Sequence, residues 1–271
     1  MAERAGATAK GGADAIKSQW PVLICVLGAF RVLKLGRPIP VRSGGKTQGV
    51  LLKLSVSRGY CASREALLET VWPSSVESLS KQCLHSVVHG LHKLLGEAIG
   101  GAAPVLYADG YYRLNTAAGV SVDVACFDAL ARRGAQQARR GNVAAASTAY
   151  RQALHLYRGD LCVATDAHAV VERERVRTLH LTTLAHLADC YYSEGDYEAC
   201  LKVTLQLLTH DPCREDGHRT AMRCHVRLGE RAQALRQYKL CEAVLRTEFN
   251  AKPEPATTVL FDQVRLDPGS V

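Results

Sequence analysis

The 271-residue chain is 47% apolar and 22% charged, a balance that suits a globular protein with room for two domains and excludes a disordered or membrane-embedded one. Its net charge of +8 is unevenly placed: residues 20 to 120 carry 11 Lys or Arg against 5 acids, whereas residues 121 to 271 carry 20 against 19. The basic surplus sits in the first half, as expected where neutralised phosphates supply affinity. Ten cysteines stand singly with no CxxC pair, which argues against a disulfide framework and for reduced, mostly core thiols in the cytosol.

Residues 1 to 19, rich in Ala, Gly and Lys without periodicity, are expected to be a disordered leader. The longest apolar run that follows, Val22 to Leu27, is too short for a membrane span or a secretory core. VLICVLGAFRVLKLGRPIPV reads as short strands punctuated by Gly28, Gly36 and Pro38, giving a small antiparallel sheet. Val26, Leu27, Phe30, Val32 and Leu35 are expected to cover one side of a helical core. Gly44-Gly45-Lys46-Thr47 opens the first helix. A phosphate-binding loop would need Gly six residues before the Lys, where Pro40 stands, so the free N–H groups of this helix start suit a DNA phosphate better than a nucleotide. The second helix, SREALLETVW, starts at Ser63 and stops because Pro73 cannot continue it.

Residues 76 to 97 form the longest amphipathic pattern of this half. Leu84, Val88, Leu91 and Leu95, widened by Val87 and Leu94, mark a buried stripe, and Lys81, His85, His89, His92 and Lys93 fall largely opposite. Downstream, Val105 to Tyr107, the Asp109-Gly110 turn and Tyr111 to Leu114 spell a β-hairpin. Three helices followed by a hairpin make a winged helix-turn-helix, whose third helix enters the major groove. The histidine spacing could also place three imidazoles on one face for Zn²⁺. No further ligand is placed locally, and no metal is expected.

TVWPSSVESLSKQCLHSVVHGLHKLLG followed by YADGYYRLN resembles the response-regulator-type winged helix of the Streptomyces antibiotic regulatory protein family. Leu84, His85, Val88, Leu91, Lys93 and Leu95 keep that family's third-helix pattern, and Gly90 and His92 stand where it has arginines. The resemblance implies a transcriptional activator that binds promoter repeats and contacts RNA polymerase.

Beyond Val120 the pattern changes to long helices, with turns at Gly141, Gly195 and Gly229. The last two are 34 residues apart, the tetratricopeptide period, and the first interval is longer by an insertion of 20 that includes YRGDLCVATDAHAV. Five residues after each glycine stands a small residue, Ala146, Cys200 or Ala234, and nine after stand Tyr150, Thr204 and Tyr238. From ERERVRTLH onward this half resembles the bacterial transcriptional activator domain. The expected fold is therefore an α+β N-terminal winged helix-turn-helix domain over residues 20–117, followed by an all-α TPR-like helical-repeat domain over residues 121–265.

The residues expected at DNA are Lys81, His85, Ser86, His89 and Lys93 from the third helix, Arg113 from the wing, and Lys46, Thr47 and Arg64 at phosphates. Ser74, Ser75 and Glu77 are the candidates for polymerase contact, and Trp72 reads better as a core plug. Double-stranded DNA and RNA polymerase are the partners implied, with a homodimer on DNA compatible with the pattern. No cofactor and no membrane are called for, and the expected location is cytoplasmic and nucleoid-associated. Neither a nucleophile elbow nor an adequate metal set is present, so an enzyme is not expected. The competing reading is an adaptor whose repeat groove binds a protein while a degenerate winged helix no longer reads specific DNA.

Overall fold

The computed structural model describes residues 20–73, 77–162 and 167–271, with backbone alone for 77–80 and 167–169. The residues expected to form a leader therefore lie outside the described part. Two compact units emerge: one runs to Phe127 and takes in Leu156–Val176, and the other consists of Asp128–His155 and Arg177–Val271.

The first unit begins with a four-stranded sheet of β1 (Val22–Cys25), β2 (Arg31–Lys34), β3 (Arg37–Ile39) and a late strand, β7 (Val120–Val122), in the order β3-β2-β1-β7. β1 pairs antiparallel with β2 (Ile24 opposite Val32) and parallel with β7 (Ile24 opposite Val122). The expected antiparallel sheet thus gains a parallel edge. All four residues of β1 are buried, which explains its unbroken apolar run. Val26, Leu27 and Val32 are buried as expected, but Phe30 is only half-buried and Leu35 is 51% exposed. Leu35 and Gly36 form the tight β2–β3 turn with φ of 50° and 75°, and a turn residue projects away from the core.

Asp123 ties the two ends of this sheet together. Its side chain is 1% exposed, and its carboxylate accepts the Val26 and Leu27 N–H groups at 3.0 Å, closing the C-terminal end of β1. Burial pushes the carboxyl up to about 6, against the pull of those backbone donors. The segment after residue 156 extends the same corner. Leu161 bridges Leu27, Cys162 N–H donates to Val26 O at 2.8 Å, and Gly28 N–H donates to Asp160 O at 2.9 Å. Gly28, at φ 84°, fits there because a Cβ would stand 3.0 Å from Arg158 O.

Three helices follow β3: α1 (Lys46–Val56), α2 (Arg64–Val71) and α3 (Glu77–Leu95). Val50, Leu51, Leu54, Leu67, Leu84, Leu91 and Leu95 form their shared core, each at most 1% exposed. Ser63 caps α2 by accepting the Ala66 N–H at 3.1 Å, and the helix stops at Trp72 before Pro73. Trp72 is 7% exposed, the core plug anticipated from its size. β5 (Val105–Ala108) and β6 (Tyr111–Leu114) form the hairpin, with Asp109 and Gly110 at φ 51° and 82° as a two-residue turn of this kind requires. A short strand, β4 (Cys61–Ser63), was not visible in the sequence. It pairs with β6 and gives the wing the order β4-β6-β5.

The second unit is helical. α4 (Asp123–Arg139) and α5 (Val143–Leu156), α6 (Ala167–Ser193) and α7 (Tyr197–His210), and α8 (Glu215–Arg227) and α9 (Arg231–Phe249) are successive helix pairs, followed by α10 (Pro255–Leu266), with the starts of α4 and α6 and the last residue of α5 counted in the first unit. Gly141, Gly195 and Gly229 turn each pair at nearly the same φ, 77° to 78°. In each case the residue after the glycine donates its N–H five residues back, closing the first helix of the pair. Ala146, Cys200 and Ala234 are all 0% exposed, so the small residue lets the paired helices approach. Tyr150, Thr204 and Tyr238 are buried one turn further on.

Candidate nucleic-acid interface

α3 has two unlike sides. Leu84, Leu91 and Leu95 are buried to within 1%, whereas Gln82, Cys83, His85, Ser86, His89, Gly90, His92 and Lys93 are exposed. Steps of four, three and four place Gln82, Ser86, His89 and Lys93 along one stripe. No carboxylate interrupts the helix from Lys81 to Leu95. Glu97, just beyond it, is drawn off by Lys34 at 2.5 Å, which also holds its carboxyl below the usual range. The exposed stripe therefore carries donors and positive charge without local repulsion of an anion.

Within this stripe the side chains differ in freedom. Ser86 Oγ donates to Gln82 O at 3.0 Å, leaving its lone pairs outward. Lys81 is half-buried. His92 turns back: its Nε2 lies 3.1 Å from Gly101 O, and its ring covers Gly96, where a Cβ would meet His92 Cδ2 at 2.7 Å. His92 consequently closes the end of α3 and does not continue the His85–His89 face. Among the described residues no group of three His, Cys, Asp or Glu could hold a metal ion.

The phosphate candidates fall into separate places. Arg64, at the start of α2, lies beside the wing, since its N–H donates to Gly110 O at 2.9 Å; its Nε is 3.4 Å from Glu65 Oε1. Arg113 is exposed on β6, opposite Leu106 of β5 and Cys61 of β4. Thr47 is half-buried in the first turn of α1. Lys46 is engaged within the fold: Nζ donates to Val71 O at 2.6 Å, at the C-terminal end of α2, and lies 5.4 Å from the centre of the Trp72 ring. A phosphate contact by Lys46 requires that bond to be exchanged. Ser74 and Ser75 lie outside the described residues, and Glu77 opens α3 with its side chain undescribed.

Two exposed residues of recognition type were not singled out from sequence. Gln82 has the amide that can pair bidentately with adenine, and Tyr111, 52% exposed beside the wing turn, presents a phenol to the backbone. Their signals were available: Gln82 lies a turn before Ser86, and Tyr111 follows the Asp-Gly turn.

This geometry defines a winged helix-turn-helix regulator joined to a tetratricopeptide-like helical unit. The profile of the bacterial transcriptional activator domain matches residues 122–265, more than half of the chain. The chain belongs to this family and is a transcriptional regulator of the Streptomyces antibiotic regulatory protein type. It is similar to "Regulatory protein DnrI" of Streptomyces peucetius, 27% identical over 235 residues that cover 83% of this chain and 85% of the relative. A solved structure of Mycobacterium tuberculosis EmbR, in complex with a low-affinity phosphopeptide, superposes with a TM-score of 0.72 at 22% identity, covering 93% of this chain and 68% of EmbR. That likeness shows the shared fold. Among the described residues no helix is long and apolar enough to cross a membrane.

Proposed function

We propose that this protein is a non-enzymatic activator that binds double-stranded promoter DNA through α3 and the wing. The observation that carries the reading is the two-sided α3, with Leu84, Leu91 and Leu95 sealed in the core and Gln82, His85, Ser86, His89 and Lys93 outward on the basic half of the chain. Arg113 and Arg64 flank it at backbone phosphates. Promoter repeats bound by a homodimer, and polymerase contact through Ser74, Ser75 and Glu77, extend the proposal by family resemblance. A cytoplasmic, nucleoid-associated location follows from that role.

Exposed Gly90 and the bond of His92 to Gly101 O favour a second reading, an adaptor with a degenerate winged helix. Binding of the full chain to its own upstream DNA, titrated from about 50 to 200 mM salt against random DNA, separates the two. Preferential binding with a slope of several units supports the activator. Weak and equal binding to both DNAs supports the adaptor.

A further inference from the structure

From Lys81 to Leu95 α3 holds no arginine. At the two positions where the resembled pattern has one, Gly90 offers no side chain and His92 has its Nε2 3.1 Å from Gly101 O. The bidentate arginine–guanine pair, the commonest specific contact in the major groove, is therefore not available from this stretch. A different set of groups faces outward. Gln82, in the N-terminal part of the helix that meets base edges in this architecture, and Ser86, one turn further on, are both exposed on the stripe that also carries His89 and Lys93.

The hydrogen bonds already made decide what these two side chains can read. The Gln82 carboxamide has no partner among the described residues, so its N–H donor and its carbonyl acceptor are both free. Adenine presents the matching pair on one major-groove edge, an N6 amino donor beside the N7 acceptor, whereas guanine offers two acceptors. Ser86 is more restricted. A serine hydroxyl can donate or accept and so tolerates any base, but here Oγ spends its one hydrogen on Gln82 O at 3.0 Å. Only lone pairs are left to face a ligand. An acceptor-only hydroxyl pairs with the exocyclic amines of adenine and cytosine, and it opposes the O6 of guanine and the O4 of thymine.

We infer that α3 reads amine-bearing base edges, adenine through Gln82 and adenine or cytosine through Ser86, an assignment that rests on the DNA-binding reading above. Four residues advance the helix by about 6 Å and successive bases on a strand lie about 3.4 Å apart, so the two positions are about two base steps apart. Lys93, two turns beyond Ser86 on the same stripe, adds phosphate attraction that carries no sequence information.

Selection of binding sites from random DNA with the full chain, followed by competition anisotropy on the selected duplex, tests the assignment. Wild type is expected to select adenine at one position and adenine or cytosine about two steps away. Gln82→Ala should lose the first preference and keep the second, Gln82→Arg should convert the first to guanine, and Ser86→Ala should lose only the second. Placing 7-deazaadenine, which lacks the N7 acceptor, at the first position should weaken wild type about tenfold and Gln82→Ala hardly at all, a difference that a merely structural role for Gln82 does not produce. Both residues are exposed, and circular dichroism verifies the fold of each variant. A wild-type motif that survives Gln82→Ala and Ser86→Ala unchanged, or that carries guanine or thymine at either position, overturns the inference and leaves the DNA reading standing. A wild type that selects no motif at all overturns both.

Discussion

Gly90 stands where the resembled family's third-helix pattern has an arginine, and the structure makes it a clean test of the proposed DNA contact. It is exposed, its backbone is helical, and nothing lies within 4 Å of where a Cβ would stand. Gly90→Ala should therefore stabilise α3 by about 1 kcal/mol, the ordinary helix cost of glycine. In a unit of this size that raises its melting temperature by about 3 °C. Gly90→Arg should gain nearly the same stability, since Arg is a good helix former, and adds a cation between His89 and Lys93. One more phosphate contact steepens the dependence of log K on log salt by about 0.9 and tightens binding by about 1.5 kcal/mol, roughly tenfold. Thermal melts measure the first effect, and salt-titrated fluorescence anisotropy on promoter DNA the second. If Gly90→Arg matches Gly90→Ala in stability and leaves the salt slope at its original value, this side of α3 does not meet DNA and the docking argument fails.

Four further outcomes follow from the same geometry. Lys93→Ala should weaken binding to all sequences and flatten the salt slope by about one unit; an unchanged slope removes Lys93 from the interface. His85→Ala should relax preference at one base pair, which a binding-site selection would reveal; equal loss on every sequence rules out that role. His92→Ala should cost about 1 kcal/mol of stability in urea melts, through the lost bond to Gly101 O, with little effect on DNA affinity. A large loss of affinity would contradict its role in closing the end of α3. Asp123 provides a pH test. Its native pKa of about 6 lies above its unfolded value, so native protein binds the extra proton and loses stability as pH rises from about 4 through 6, by about 3 kcal/mol in total. Asp123→Asn should remove this slope, and urea midpoints at about pH 4.5 and 7 that shift as much as wild type would refute the assignment.

The winged helix was legible because its signals are local. The leucine spacing fixed the buried side of α3, Ser63 and Pro73 bracketed α2, and Asp109-Gly110 specified the hairpin turn. The helix pairs were legible from three glycines and the small residues five positions after them. What escaped depends on pairing across the chain. Val120 to Val122 is too short to announce a strand, and its parallel partner lies 98 residues away, so neither β7 nor the use of Asp123 by Val26 and Leu27 has a local mark. β4 is three residues long and acquires strand geometry only against β6. At the interface, helical spacing separated outward from inward positions. It could not show that His92 would find Gly101 O or that Lys46 would find Val71 O, since both acceptors lie in other segments.

The return of residues 156 to 162 to the corner of the first sheet bears on how such a regulator can be assembled and reassembled. Reading along the chain, the two units alternate, with boundaries after Phe127, His155 and Val176. A gene fusion cut where the wing ends would separate the sheet from β7, from Asp123 and from the Leu161 bridge. The winged helix and its sheet are therefore not a detachable cassette. If α3 reads the promoter as proposed, exchange of specificity between relatives should succeed by grafting the outward residues of α3 rather than by swapping the N-terminal hundred residues wholesale.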